Sequence, residues 1–212
     1  MIIKICGMRD SVNIRAVEQI GADWMGFICY GRSPRYVGSR PSYLPEKMLR
    51  IGVFVNETDI RVCENMIESL DLQGIQLHGN ESPGICRHFR SMGLMVMKSF
   101  SVGAGTDFRQ TRGYEDVCDY FLFDTLTSQY GGSGKSFDWN ILKAYHGEIP
   151  FLLSGGLCME SLGRLSEFHH PRWAGIDLNS GFEISPGMKD AGLLAHFIKK
   201  IRNIYPETYS CF

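Results

Sequence analysis

The chain has 212 residues, of which 44% are apolar and 21% charged, and a formal net charge of −1. Such a length and composition fit one sizeable globular domain spanning 1–212. The near-zero charge and the lack of basic runs exclude an electrostatic case for nucleic acid or an anionic membrane, so any bound anion must be held by local geometry.

In chain order, Ile2 to Cys6 reads as a short strand closed by Gly7. Ile14, Val17 and Ile20 at helical spacing predict a helix from Ser11 to Ile20, with Ser11 or Asp10 as its cap. Asp23 to Cys29 is a continuous apolar run, the pattern of a strand buried on both faces. A polar loop with an aromatic at each end follows, Tyr30-Gly31-Arg32-Ser33-Pro34-Arg35-Tyr36-Val37. A short helical piece near Tyr43 to Lys47 leads to a third strand, Ile51 to Val55. Asn56 to Leu70 reads as a helix, Gly74 to Leu77 as a strand ending at His78-Gly79, and Ser82 to Met92 as a helix with Pro83 in its first turn. Leu94 to Lys98 is the fifth strand. Val102 to Gly113 is glycine-rich, which predicts a short or irregular helix. Tyr120 to Phe123 is the sixth strand, ending at Asp124. The loop Gly131-Gly132-Ser133-Gly134-Lys135 precedes a helix from Trp139 to Tyr145.

Two apolar runs then each break into small residues. Phe151-Leu152-Leu153 meets Ser154-Gly155-Gly156, and Trp173-Ala174-Gly175-Ile176-Asp177 meets Asn179-Ser180-Gly181, with a helical pattern (Met159, Leu162, Leu165, Phe168) between them. The last helix covers roughly Met188 to Ile204, ended by Pro206, and the tail from Glu207 to Phe212 is expected to fray. Strand and helix alternate about eight times, one unit per ~26 residues, close to the minimum a βα unit allows. A closed (β/α)₈ barrel fits that count, with an open doubly wound sheet as the alternative. In such a barrel the turns after the last two strands form a phosphate cradle. Glycines let backbone N–H groups approach an anion, and a following helix N-terminus favours negative charge.

The seven cysteines (Cys6, Cys29, Cys63, Cys86, Cys118, Cys158, Cys211) are odd in number and lack a C-x-x-C pair. That argues against a disulfide framework and a structural zinc site, and suits small apolar fillers in a reducing compartment. The apolar part of the N-terminus is too short for a signal peptide and no run approaches a membrane span, so a cytoplasmic protein is expected. Oligomeric state is open between monomer and homodimer.

Functional groups of a parallel barrel sit at the carboxyl ends of its strands. Those ends carry Cys6, Cys29, Asn56, His78, Lys98, Asp124, Ser154 and Asp177. Each has a plainer reading: Cys6 as a core filler, Asp124 as a turn cap, His78 as a turn or orientation residue, Lys98 and Lys135 as solvated charges. In combination, one thiol and one carboxylate without a metal or cofactor motif suit proton transfer on a phosphorylated small molecule. A thiol base needs a lowered pKa and a carboxyl acid a raised one, and Lys4 and Arg35 are the candidate cations for the thiol. Gly131 to Gly134 is the candidate lid.

Lys4-Ile5-Cys6-Gly7, Ser33-Pro34-Arg35-Tyr36, Gly52-Val53-Phe54-Val55-Asn56, Gln76-Leu77-His78-Gly79, Gly131 to Lys135 with Phe137-Asp138-Trp139, Ser154-Gly155-Gly156-Leu157, and Asp177 to Glu183 with Pro186-Gly187 and Lys189-Asp190 together resemble the phosphoribosylanthranilate isomerases. The resemblance runs from residue 2 to the last helix. It implies a (β/α)₈ barrel that performs an Amadori rearrangement in tryptophan biosynthesis without a cofactor. It implies Asp124 as general acid, Cys6 as general base, and Arg35 as the residue binding the anthranilate carboxylate through its planar fork. Gly155, Gly156, Asn179 and Ser180 would hold the phosphate, and Asp177 would contact the sugar hydroxyls. The chain departs from the family pattern with Ser154 for a common alanine, Ser133 for threonine, Asn179 for serine, and Tyr30-Gly31-Arg32 before Ser33. Two related barrels fit less well. The histidine-pathway isomerase carries an aspartate where Cys6 stands, and the indole-forming synthase has an extra segment before its first strand. A non-catalytic phosphate-binding barrel would need neither Cys6 nor Asp124.

Overall fold

The computed structural model describes residues 1–125 and 138–206. Among them, eight parallel strands close into a barrel in sequence order: β1 (Ile2–Ile5), β2 (Trp24–Ile28), β3 (Leu49–Phe54), β4 (Gly74–Leu77), β5 (Met95–Val102), β6 (Tyr120–Thr125), β7 (Phe151–Leu153) and β8 (Trp173–Leu178). Closure is made by β1, whose Lys4 stands opposite Trp24 on one side and Asp177 on the other. The closed order rules out the doubly wound alternative.

Side chains alternate between two cores, as the pleat requires. Ile3 and Ile5 point outward into the layer shared with the helices, while Trp24, Ile51, Met97, Leu122 and Leu152 form a separate cluster inside the barrel. Above that apolar plug lies a buried polar layer of Lys4, Gln76, Ser99, Ser154 and Asp177. A polar layer has no value as packing, since each member must be hydrogen-bonded to be tolerated. It is the floor of the barrel mouth.

The outer helices are α1 (Ser11–Glu18), α2 (Ile60–Leu70), α3 (Pro83–Ser91), α4 (Leu162–Glu167) and α5 (Ala191–Ile204). Aspartates at 10, 59 and 190 accept backbone N–H bonds from Asn13, Arg61 and Leu193 and so start α1, α2 and α5. Asp10, rather than Ser11, is the first cap. Two crossovers carry 3₁₀ turns where full helices would stand, Phe108–Tyr114 and Trp139–Ala144. Gly103, Gly105 and Gly113 explain the first, as each disfavours helix. Phe100, Phe108, Phe123, Tyr145 and Phe151 fill the space there, with edge-on ring pairs such as Phe123 and Tyr145 at 5.1 Å.

Several expected elements differ, among them the helix read from Trp139 to Tyr145, which is only a 3₁₀ turn. No helix forms from Tyr43 to Lys47. Pro41 and Pro45 disfavour it, and the Glu18 carboxylate accepts the N–H groups of Glu46 (2.5 Å) and Lys47 (2.7 Å), pinning an irregular segment. The last helix starts at Ala191 because Glu183–Ser185 (β9) and Met188–Lys189 (β10) pair as a hairpin turned by Pro186-Gly187, with Gly187 at φ +83°. The fifth strand also runs four residues further than expected, to Val102. The lid candidate Gly131 to Gly134 and the tail from Glu207 to Phe212 lie outside the described residues. Among the described residues no helix is long and apolar enough to cross a membrane.

Candidate active site

A cavity opens at the carboxyl ends of the strands and gathers most of the expected residues. Cys6, Asp124, Ser154, Gly155, Gly156, Asp177, Asn179 and Ser180 all line it, as does His78. Three strand-end residues do not. Cys29 lies off the cavity, and burial pushes its thiol up to about 12. Asn56, at φ +50°, accepts the Asn80 N–H (2.6 Å) and serves a turn. Lys98 is buried and donates to the carbonyls of Leu77, Gly79 and Ser99, with Glu81 at 3.4 Å. It ties β4 to β5 and is not solvated.

The Cys6 thiol stands beside two lysines and an aspartate. Its own neighbour on β1, Lys4, points inward and donates to Asp177 Oδ1 at 2.8 Å, with both side chains buried. Gly26 on β2 makes the room. A Cβ there would sit 2.9 Å from Cys6 Sγ and 3.1 Å from Lys4 Nζ, which places thiol and ammonium against the same small gap. Burial pushes the Cys6 thiol up, opposed by the charges of Lys4 and Lys189 and by a hydrogen bond from Lys4, while Asp177 adds to the rise. Burial also works against the Lys4 charge, but Asp177 and Cys6 outweigh it and hold the ammonium above its ordinary range. Of the two candidate cations, Lys4 is the one at the thiol.

Asp124 reaches the cavity from β6, separated from β1 by β7 and β8 around the barrel. Its Oδ1 accepts the Thr125 N–H at 2.8 Å, and His78 Nε2 lies 3.5 Å from Oδ2. The Gln76 amide, on β4, meets His78 Nδ1 at 2.9 Å and donates to Ser99 Oγ at 3.2 Å. Nε2 is the ring nitrogen that faces Asp124. His78 thus bridges the Gln76 amide and the Asp124 carboxylate.

Gly155 and Gly156 follow β7 at φ +87° and +66°. Both values favour glycine, and Gly155 has a second requirement, since a Cβ would collide with Thr125 Oγ1 and approach Asp124 Oδ1 to 2.7 Å. The glycine turn and the carboxylate are thus packed face to face. Asn179 and Ser180 continue β8 at the adjacent edge. The backbone N–H groups of Gly155, Gly156, Asn179 and Ser180 take no acceptor among the described residues, and all four residues line the cavity. Consecutive free N–H groups of this kind form an anion-binding concavity. Only a short 3₁₀ turn, Ser180–Phe182, follows β8 directly, so the helix dipole expected there is small and the backbone N–H groups supply the field.

Arg35 does not line the cavity. It packs at the rim, where its Cδ and Asn179 Oδ1 would each lie 2.9 Å from a Cβ on Gly7. Its guanidinium is paired with Glu183, Nη2 to Oε2 at 2.6 Å and Nε to Oε1 at 2.9 Å. Glu183 enters the sequence pattern only as one letter of a motif; Ile28, Tyr30, Val53 and Val55 form an apolar wall with one aromatic ring, of which the sequence points to Tyr30 alone, through the unusual Tyr30-Gly31-Arg32. The inward-facing alternation at the ends of β2 and β3 was the signal that could have found them. Among the described residues no group of His, Cys, Asp and Glu is placed to hold a metal ion.

A family model described as N-(5'-phosphoribosyl)anthranilate isomerase matches residues 3–200. A relative of that name from Phocaeicola vulgatus is 56% identical, over 95% of this chain and 98% of its own length. Phosphoribosyl anthranilate isomerase from Thermotoga maritima superimposes with a TM-score of 0.81 at 32% identity, covering 96% of this chain and all of its own. A phosphoribosyl anthranilate isomerase in complex with reduced 1-(o-carboxyphenylamino)-1-deoxyribulose 5-phosphate superimposes at 0.78 and 28% identity, again over 96% of this chain and all of the other. With a closed eight-stranded barrel, the motifs in order along it and a relative matched nearly end to end, the chain belongs to the N-(5'-phosphoribosyl)anthranilate isomerase family, isomerases of tryptophan biosynthesis.

Proposed function

We propose that the chain converts N-(5-phosphoribosyl)anthranilate to 1-(2-carboxyphenylamino)-1-deoxyribulose 5-phosphate, with Asp124 as general acid and Cys6 as general base. One observation carries this reading: the thiol, the carboxyl and the double-glycine turn share one cavity, with Gly155 packed against the carboxylate. Asp124 gives its proton to the ring oxygen as the C1–O bond breaks and the anilino nitrogen lone pair forms the iminium. Cys6 then removes the C2 proton, and the electron pair moves to the iminium to give an enolamine. Loss of the C2 hydroxyl proton and protonation at C1 complete the ketose. No atom is gained or lost, so no co-reactant is required.

The surroundings bear on each step, although burial leaves the free Cys6 thiol raised rather than lowered as the sequence reading expected, so the base role rests on the cations beside it. Lys4 stabilises the Cys6 thiolate against burial, so proton abstraction has an electrostatic partner. His78 presents Nε2 to Asp124 and steadies the carboxyl in position. The free N–H groups at Gly155, Gly156, Asn179 and Ser180 hold the phosphate. Asp177 keeps Oδ2 only weakly engaged, 3.5 Å from Ser154 Oγ, and takes a sugar hydroxyl. Tyr30, Ile28, Val53 and Val55 receive the aromatic ring, and Arg35 its carboxylate. Free thiols among the described cysteines support work in the reducing cytoplasm, as a monomer or homodimer.

The test is loss of anthranilate fluorescence from freshly generated substrate, corrected for its spontaneous hydrolysis. Rapid turnover by the purified protein supports the reading. A folded protein that binds phosphate without turnover would overturn it in favour of another sugar phosphate or a non-catalytic binder.

A further inference from the structure

The barrel rim carries a buried charge cluster of which only Lys189 bears on the proposed base. Glu183, at the start of β9, is shared by two cations. Its Oε1 accepts from Arg35 Nε (2.9 Å), Lys189 Nζ (2.7 Å) and the Gly187 N–H (3.0 Å), and its Oε2 accepts from Arg35 Nη2 (2.6 Å). The side chains of Arg35, Glu183 and Lys189 are 11%, 5% and 0% exposed. Two positive groups around one carboxylate leave the triad one charge in excess. An uncompensated buried charge is costly, so this arrangement suits the arrival of one further anion.

The way Glu183 holds the guanidinium shows where that anion fits. It grips the Nε–Nη2 edge. A guanidinium has a second edge, Nη1–Nη2, that matches a carboxylate in the same two-bond geometry. Arg35 Nη1 has no acceptor among the described residues. Arg35 itself lies close to the site, because Ser33 lines the cavity and the Arg35 side chain packs over Gly7, next to Cys6. Glu183 is itself immobilised. Lys189 is fixed at its backbone by reciprocal bonds with Asn13, both 2.8 Å, and its ammonium also donates to Asn179 Oδ1 at 2.7 Å. The same frame therefore runs from the phosphate turn to the rim arginine.

We infer that Glu183 is a positioning residue for substrate selection. It holds Arg35 by one edge so that the other presents a flat fork to the ring carboxylate, and Lys189 links that fork to the phosphate turn at a set distance. The inference rests on the reading that Arg35 receives the anthranilate carboxylate.

Two reduced product analogues test it, one with the ring carboxylate and one with a plain phenyl ring, titrated calorimetrically beside inorganic phosphate. The wild type should favour the carboxylate analogue. In Glu183→Gln that preference should fall about tenfold or more, the range for hydrogen bonds to charged groups, with phosphate affinity unchanged and KM raised more than kcat is lowered. Arg35→Ala is the parallel arm. Should Arg35→Ala lose the preference while Glu183→Gln keeps it, the inference fails and the arginine reading stands. Should Arg35→Ala keep it, the arginine reading fails and takes the inference with it. Tighter carboxylate binding in Glu183→Gln would mean that Glu183 competes with substrate. Equal weakening of phosphate would mean a merely structural role. Either result overturns the proposal. If Glu183→Gln does not fold, Glu183→Asp retains the charge with a shorter reach and should show an intermediate preference. A wild-type preference in that variant would also overturn the inference.

Discussion

Replacing Lys4 by methionine removes one half of a buried ion pair and the cation beside the proposed base in a single step. Lys4 Nζ and Asp177 Oδ1 are 2.8 Å apart, with side chains 0% and 6% exposed. Methionine fills similar volume but leaves the Asp177 carboxylate without its partner, which typically costs ~3–5 kcal/mol. For a domain of this size each kcal/mol shifts the melting midpoint by about 2–4 °C, so a fall of roughly 6–20 °C is expected in thermal unfolding. Activity should fall independently. Cys6 then keeps burial and Asp177, which raise its pKa, and loses Lys4, which lowers it. If the thiolate is the reactive form, each further unit of pKa lowers the rate at neutral pH tenfold. The rising limb of kcat/KM against pH should therefore move to higher pH. Lys4→Met combined with Asp177→Asn should recover most of the stability but only part of the pH profile, because removing Asp177 takes away one of the charges that raise the thiol. An unmoved limb in the single variant would refute the role given to Lys4, and an unmoved melting temperature would refute the value given to the pair. The wild-type pair has its own signature. Because Lys4 is held above its ordinary range, its stabilisation is fully present below the unfolded-state value and is lost only as pH rises through the folded one.

Gly155→Ala should lower kcat by at least about tenfold, since its Cβ must displace Asp124 or Thr125, and left-handed backbone in alanine adds ~1–2 kcal/mol of strain that a melting curve would show. Normal turnover in a stably folded variant would count against the packing described here. Burial works against the Glu183 charge, but bonds from Arg35, Lys189 and Gly187 outweigh it and hold the carboxyl below its ordinary range. Its stabilisation is thus present above the unfolded value of 4.5 and is lost as pH falls through the folded one. Acid unfolding of Glu183→Gln should accordingly be shallower than that of the parent over this window, and identical acid transitions would contradict it.

Much of the barrel is legible in the sequence because parallel strands covered on both faces leave uninterrupted apolar runs. Asp23 to Cys29 and Phe151-Leu152-Leu153 are two such runs, and the cavity is lined by Ile28 within the first and by Ser154 directly after the second. The errors have local causes. The segment around Tyr43 has helical letters but is held between two prolines by a distant carboxylate, Glu18. The hairpin before α5 is hidden because its second strand, Met188–Lys189, is only two residues long and runs almost directly into the helical pattern. In the site, Cys6, Asp124, Asp177 and the glycine turn could be found one strand end at a time. The pairings could not. Lys4 and Asp177 are 173 residues apart and meet only because β8 closes on β1, and Arg35 and Glu183 are separated by 148 residues. Chain order alone carries no information about which charge answers which.

The most direct measurement compares the wild type with Cys6→Ala and Asp124→Asn in the fluorescence assay, with inorganic phosphate binding as the control for an intact cavity. The account predicts that each substitution lowers turnover by ~10² to 10⁴-fold, the usual worth of a positioned acid or base, while phosphate binds as before. Turnover near the parental rate in both variants would contradict the assignment of acid and base.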